Sequence, residues 1–434
     1  MNGSYVIFQS ALGVLVIPLL AWLLSERRRD VQLKLIIYSI GFQFGLALLL
    51  TGFPFSRHFF NAVNEGVLAL DGATRAGTTF LFGYLGGGEL PFRLEKNVSS
   101  FIMAFQALPL IIVLSALTSL LTYLKILPLV ISLLAKALNR FLAISAPTAF
   151  ASAANIFVGM VESPLFIKPY LKSLSRSELF VVMTVGMATI AGTVLVIYVG
   201  FLQKILPGAA GHLLTASIIS IPAAISIALT MVPRSFDDGT SRAAPEALRD
   251  TENDDNTLER YSAHKSVTDA IVGGTQEGLS LCLQIAALLL VFVALVSLLN
   301  SLLATLVPNL FGTSLSLEGI IGIIMVPLAW LIGIPSGEIL IAGELLGTKL
   351  VLNEFIALHA LGALPADELS DRSITILSYA LCGFANIGSL GILIGGLSTM
   401  APTRRDDIIS LAPKALISGT LSTLMTGAVI GLIN

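Results

Sequence analysis

The sequence predicts an all-α polytopic membrane protein with eight transmembrane helices, two oppositely oriented re-entrant hairpins, interfacial helices and an inverted repeat. Three observations carry this. The chain is 55% hydrophobic and 12% charged, with a mean hydropathy of +0.89, whereas a soluble domain holds about 25% charged residues. Its Lys and Arg residues gather in alternate loops between apolar runs. One order of elements, hairpin then broken span then span, occurs twice.

Span one covers about residues 4–24. It is long enough to cross, and no small-residue cleavage site follows it, so it is read as a span and not a signal peptide. Arg27-Arg28-Arg29 follows and belongs inside, which places the N-terminus outside. Span two is about 31–52. Residues 55–97 mix charges with aromatics and glycines; they read as an amphipathic helix in the outer interface, ending at Gly86-Gly87-Gly88. Span three is about 100–123. Lys125, Lys136 and Arg140 mark 125–142 as a second interfacial helix, on the inner side.

Residues 146–174 form two apolar halves, each too short to cross about 30 Å at about 1.5 Å per residue. With basic residues at both ends, they read as a re-entrant hairpin with its tip near Gly159. Span four, 178–202, is interrupted around Gly186–Thr193, and span five is 211–232. Residues 233–265 are polar and acidic and read as an inner, partly disordered connector. Span six is 268–305. Residues 317–358 repeat the hairpin pattern around Gly333-Ile334-Pro335-Ser336-Gly337. Span seven, 372–399, is interrupted at Gly383–Ser389, and span eight is 408–432. This topology puts 18 of the 25 Lys and Arg residues inside and both termini outside. The organisation is 1–145 for the N-terminal spans and interfacial helices, 146–232 for the first repeat, 233–267 for the connector, 268–316 for span six, and 317–434 for the second repeat.

Each repeat contributes one hairpin carboxylate, Glu162 or Glu354, and one polar break, Thr189 or Asn386 with Ser389. A charge inside a bilayer is costly, about 2.5–3.5 kcal/mol on insertion scales, and persists where it faces a protein-lined cavity. Carboxylate, Asn and Ser together suit a neutral polyhydroxy ligand. Carbonyls freed at the breaks, with the oxygens of Asn155 and Thr189, suit a small hard cation. Alternatively, Glu162 caps a short helix outside the membrane, Asn386, Ser389 and Thr189 serve as helix–helix contacts, and Phe384 is packing. His359 lies five residues after Glu354, shares no close helical face with it, and is taken as structural or interfacial.

The chain resembles the concentrative nucleoside transporters of the bacterial eight-span type. The likeness covers nearly the whole chain and rests on Gly77-Thr-Thr-Phe-Leu-Phe-Gly83, the Asn155–Tyr170 hairpin and Met187-Ala-Thr-Ile-Ala-Gly192. It also rests on Pro327-Leu-Ala-Trp330, Gly343-Glu-Leu-Leu-Gly-Thr-Lys349, Asn353-Glu-Phe355 and Cys382-Gly-Phe-Ala-Asn386 with Gly388-Ser389. It implies a homotrimer in the bacterial cytoplasmic (inner) membrane. Each protomer would have a scaffold, containing residues 1–145 and span six, and a transport part built from the two repeats that moves like an elevator. It implies that Glu354, Asn386 and Ser389 hold the ribose, that Phe384 lines the same site, and that Val194 packs on the base. It implies sodium at the Asn155 and Thr189 side chains with the Val158 and Ile190 carbonyls; Asn155 favours sodium over proton coupling. The first hairpin departs from the family's Gly-Gln-Thr-Glu and reads Gly159-Met160-Val161-Glu162. The base half of the site has thus lost two polar groups, and a site without such partners discriminates weakly.

The expected function is nucleoside import by cation symport, with sodium as the coupling ion and no other cofactor. Proton coupling through Glu162, or another polar metabolite, is the alternative. An enzyme is not expected: the four histidines form no pair with metal spacing, and no Ser/His or paired-Asp arrangement occurs. A nucleoside-gated sensor is the remaining class. No basic stripe suits nucleic acid, and Cys282 and Cys382, both in apolar runs, suggest neither a disulfide framework nor a zinc site.

Overall fold

The regular elements are all helical among the described residues of this computed structural model, which are 3–52, 54–93, 100–142, 144–234, 264–306, 316–365 and 367–434. Most of the connector (235–263) and residues 307–315 therefore lie outside the described residues. In order, the helices are α1 (Gly3–Leu23), α2 (Leu33–Gly52), α3 (Pro54–Phe82), α4 (Met103–Gln106), α5 (Pro109–Tyr123), α6 (Ile126–Leu142), α7 (Ala146–Ala154) and α8 (Glu162–Leu165). They continue with α9 (Arg176–Ala188), α10 (Gly192–Leu202), α11 (Ala209–Met231), α12 (Val267–Leu306) and α13 (Leu317–Leu331). The last are α14 (Ile339–Val351), α15 (Glu354–Ala363), α16 (Asp371–Leu381), α17 (Ile387–Met400) and α18 (Arg405–Ile433).

Among the described residues, seven helical segments are long and apolar enough to cross a membrane. The expected seventh of eight spans is absent from that set because residues 371–400 are two short helices, α16 and α17, with an irregular break between them. The segment made by α9 and α10 is broken only at Thr189–Ala191, where Thr189 is extended. Gly186, expected inside this break, stays helical; a Cβ there would stand 3.0 Å from the Met160 Cβ, so glycine admits the hairpin tip.

Three further segments differ from expectation. Span three is two pieces, α4 and α5, separated just before Pro109, whose ring fits the first turn of a helix but not its interior. The second half of the first hairpin is a single helical turn, α8, followed by turns through Ser173; Pro169 lacks the N–H that a longer helix would bond to the Leu165 carbonyl. The second hairpin ends at Val351, and α15 begins afresh at Glu354. There Asn353 is extended and its Oδ1 accepts from the Ile356 N–H at 2.9 Å, an Asn N-cap.

The core forms around α9, α10, α11 and α18. Most residues of the α9–α10 segment are buried, whereas only five of the 40 in α12 are, so α12 turns its apolar surface outward. Glycines set the closest helix approaches, as in membrane helices generally. On α12, a Cβ at Gly274 or Gly278 would meet Ser115 or Ile112 of α5 at 2.6–2.8 Å. In the second hairpin, Gly343 of α14 faces the Gly322 carbonyl of α13, and a Cβ there would lie 2.7 Å from it. Within residues 1–145, α1 lies mainly on α18 and α2 on α11, while α5 pairs with α12.

One ionic cluster ties loop to core. Glu26, after α1, pairs with Arg176 at 3.0 Å and with Lys414 at 2.5 Å, and Arg176 also reaches Asp407 at 3.1 Å. Burial pushes the Glu26 carboxyl up, but hydrogen bonds and charge from Arg176 and Lys414 outweigh it and hold Glu26 below its ordinary value of 4.5. A depressed carboxyl stabilises the fold above its unfolded-state value, and that contribution disappears as pH falls through the lower folded value. The thermal midpoint in detergent should therefore drop as pH is lowered from about 5 to below 4. Glu26→Gln should flatten that drop and lower the midpoint at neutral pH. An unchanged acid slope in the variant would refute the assignment.

Candidate functional site

The two broken segments cross at their breaks. The Phe384 N–H, which would have continued α16, donates instead to the Thr189 carbonyl at 3.3 Å. The crossing depends on glycine: a Cβ on Gly383 would stand 2.6 Å from the Thr423 methyl and 2.9 Å from the Ala188 carbonyl oxygen. One backbone hydrogen bond thus joins the two halves of the site.

The second-repeat half is built on two helix starts. Glu354 is the first residue of α15, only 5% exposed. Its Oε1 accepts from the Tyr198 hydroxyl at 2.8 Å, and its Oε2 accepts from Asn386 Nδ2 at 2.9 Å. Asn386 is the N-cap of α17, its Oδ1 accepting from the Ser389 N–H at 2.8 Å. The structure therefore brings Glu354, Asn386 and Ser389 together. Val194 is buried on α10 one turn before Tyr198, and Phe384 is half-buried at the break. Here α12 comes close to the start of α17: a Cβ on Gly388 would lie 2.9 Å from the Phe292 ring.

The first-repeat half is a cluster of oxygen atoms beside the α9 end. Asn155 is buried, and its Nδ2 donates to the Val185 carbonyl at 3.1 Å and to the Thr189 hydroxyl. Thr189 Oγ1 donates to the same Val185 carbonyl at 2.9 Å. Asn155 Oδ1 is buried with no hydrogen-bond partner among the described residues, an orphan that native interiors rarely leave. The Ile190 carbonyl accepts a long 3.3 Å bond from Ser217 and keeps lone-pair capacity. Val158 stands in the same irregular stretch, half-buried, where the Val158 N–H still bonds the Ala154 carbonyl at 3.0 Å. Among the described residues no three His, Cys, Asp or Glu side chains converge. The donor set is amide, hydroxyl and carbonyl oxygen, which suits a monovalent hard cation better than a transition metal.

The hairpin tip behaves differently from the rest. The Glu162 carboxylate turns back onto the N–H groups of Gly159 and Glu162, and the charge that acts on it is Glu277 of α12. It shares none of the bonds that gather Glu354 and Asn386. Met160 is buried against Gly186 of α9, and Val161 packs on α17, where a Cβ at Gly396 would stand 2.7 Å from its Cγ1. Two polar residues escaped the sequence reading. Tyr198 sits in an apolar run, one helical turn from Val194, and only that spacing hinted at it. Lys349, 2% exposed, donates to the Ala380 carbonyl at 2.8 Å and the Thr423 hydroxyl at 2.9 Å; a lysine inside a glycine-rich apolar helix was the available signal.

Comparison with known proteins places this geometry. Residues 212–431 match the family described as Na+ dependent nucleoside transporter C-terminus, residues 12–85 match the corresponding N-terminus, and residues 104–205 match a nucleoside recognition domain. The nucleoside permease NupC of Helicobacter pylori is 37% identical over 427 residues, covering 98% of this chain and 97% of the relative. Human solute carrier family 28 member 3 is 33% identical over 437 residues, covering 97% of this chain and 59% of the relative. The solved structure of CNTnw in an inward-facing substrate-bound state superposes with a TM-score of 0.84 at 34% identity, covering 98% of this chain and 97% of that one. A CNTnw variant in an outward-facing state superposes equally well, at 0.84 and 32%. Matched along nearly its whole length, and carrying apolar helices that suit a multi-pass membrane protein, the chain belongs to the concentrative nucleoside transporter family and is a transporter of nucleosides, not an enzyme.

Proposed function

We propose that this transporter imports nucleosides by sodium symport, with an elevator-type movement of the two repeats against a scaffold. The observation that carries the coupling is the orphaned Asn155 Oδ1 beside Thr189. A sodium ion there would satisfy it, with the Thr189 hydroxyl and the Val158 and Ile190 carbonyls as further ligands. The ion orders the first hairpin against the α9 end, and the Thr189–Phe384 bond passes that order to the ribose half. Glu354, Asn386 and Ser389 hold the ribose; Phe384 and Val194 flank the base. Coupling follows if each ligand favours the arrangement that binds the other.

The same reading makes 146–174 and 317–351 re-entrant hairpins of an inverted repeat, with α16 and α17 together as the seventh of eight spans. The protein works as a homotrimer in the bacterial inner membrane, with both termini outside. The packing of α1 on α18 and α2 on α11 supports assigning both to the moving part, and the α5–α12 pair to the scaffold. With Met160 and Val161 packed on Gly186 and Gly396, the hairpin offers the base no polar side chain from those positions, which favours relaxed base preference.

Uptake of labelled uridine and adenosine into proteoliposomes, with and without an inward sodium gradient at fixed pH, tests this. Sodium-driven accumulation of both, within about tenfold of each other, is the expected result. Accumulation driven only by a proton gradient would remove Asn155 and Thr189 from the cation site and turn attention to Glu162. Strict preference for one base would defeat the relaxed-preference reading.

A further inference from the structure

The mechanism above does not use the buried Lys349 ammonium. The Lys349 ammonium sits at the second break as Asn155 sits at the first. Asn155 reaches a carbonyl in the last turn of α9, Val185, 30 residues further along. Lys349 reaches a carbonyl in the last turn of α16, Ala380, 31 residues further along. In each case a hydroxyl completes the contact, Thr189 in the first repeat and Thr423 of α18 in the second. The Ala380 carbonyl is free to accept because Cys382 N–H bonds Tyr379, Gly383 N–H bonds Leu381, and Phe384 N–H bonds Thr189. The negative end of the α16 dipole therefore points at Lys349. The difference is chemical. The first repeat offers a neutral amide with one oxygen unpaired; the second offers a full positive charge.

That charge has a counterpart. Glu354 begins the next helix five residues on and is buried, and both residues hold the same break: Lys349 at the Ala380 carbonyl and Glu354 at Asn386, with no direct ion pair between them among the described residues. Tyr198 and Asn386 supply Glu354 with neutral donors only. A buried carboxylate without an opposite charge is costly, and removing one partner of such a pair strands the other. A pair without net charge also travels across a bilayer at less cost than a lone charge.

We propose that Lys349 is a positioning residue: a tethered cation that fills at the second break the place a free cation takes at the first, and that holds Glu354 as the anionic ribose anchor. This rests on the reading of Glu354 as that anchor, and the test separates the two. Uridine and 2′,3′-dideoxyuridine binding are measured at saturating sodium for the full-length protein, Lys349→Met, Glu354→Gln and the double variant. Lys349→Met should weaken uridine at least about thirtyfold and dideoxyuridine by less than about threefold, because only uridine presents the hydroxyls that Glu354 accepts. The double variant should bind uridine within about threefold of Glu354→Gln alone, since residues acting as a unit are not additive. Equal weakening of both ligands by Lys349→Met, or losses that multiply in the double variant, would overturn the proposal. Unchanged uridine affinity in Glu354→Gln would sink the anchor reading and this proposal with it. If Lys349→Met alone does not fold, the double variant decides: a recovered cooperative melt supports a stranded carboxylate as the cause, and continued misfolding overturns it.

Discussion

Glutamine at position 354 should weaken nucleoside binding about 100-fold and remove measurable uptake, while the protein still elutes as a folded species. Both Glu354 oxygens are engaged, by Tyr198 at 2.8 Å and Asn386 at 2.9 Å, yet each oxygen keeps a lone pair for a ribose hydroxyl. Hydrogen bonds to a charged acceptor contribute about 1.5–3 kcal/mol against about 0.5–1.5 kcal/mol for neutral pairs. Losing the charge at two hydroxyl contacts thus removes about 2–3 kcal/mol, and about 1.4 kcal/mol is a factor of ten. Glutamine also turns one acceptor into a donor that meets either the Tyr198 hydroxyl or the Asn386 amide. Equilibrium binding of uridine to purified protein measures the effect. Affinity within about threefold of the natural protein would show that the ribose is held elsewhere.

The second large effect is expected from Asn155→Leu, a change of similar volume that removes both amide atoms. Sodium activation of uridine binding and uptake should disappear, leaving a low rate that is the same in sodium and in choline. Leucine supplies no ligand oxygen where Asn155 Oδ1 now lies unpaired, and it releases the Nδ2 contacts to Val185 and Thr189. The fold should tolerate the change. The Val185 carbonyl keeps the Thr189 hydroxyl at 2.9 Å and the Thr189 N–H at 3.2 Å, and the two lost Asn155 hydrogen bonds cost about 1 kcal/mol each. A sodium titration of uridine binding is the measurement. A variant with the natural half-saturating sodium concentration would move the ion away from this pocket.

Much of this architecture was legible because apolar runs, glycines and isolated polar residues each carry a local signal. Both breaks, the Glu354–Asn386–Ser389 group and the Asn155–Thr189 pair lie where a polar residue interrupts apolar sequence. What escaped reading depends on distant partners. Tyr198 meets Glu354 across 156 residues, and Lys349 meets Thr423 across 74; neither separation leaves a trace in local periodicity. The α15 start was missed although Asn353 and Glu354 form an N-cap pattern, because the hairpin was extended through them. The short second half of the first hairpin follows from Pro169, whose missing N–H outweighs an apolar composition that alone would favour a helix. The packing of α1 and α2 on the repeats could not be read at all, since an apolar span looks the same whether lipid or protein covers it.

The outward-facing α12 has a consequence in the thickness of the bilayer. It runs unbroken through 40 residues, about 60 Å at 1.5 Å per residue, against a hydrocarbon core of about 30 Å. Even its apolar portion beyond Glu277 is about 40 Å long. Such a helix is hydrophobically mismatched unless it leans, and the lean is shared with α5 because glycines lock the two together. A change in membrane thickness would alter that inclination, and Phe292, carried on α12 against Gly388, would shift with it. On the proposed reading of the site, the surrounding lipid would thereby gain mechanical access to one of its walls.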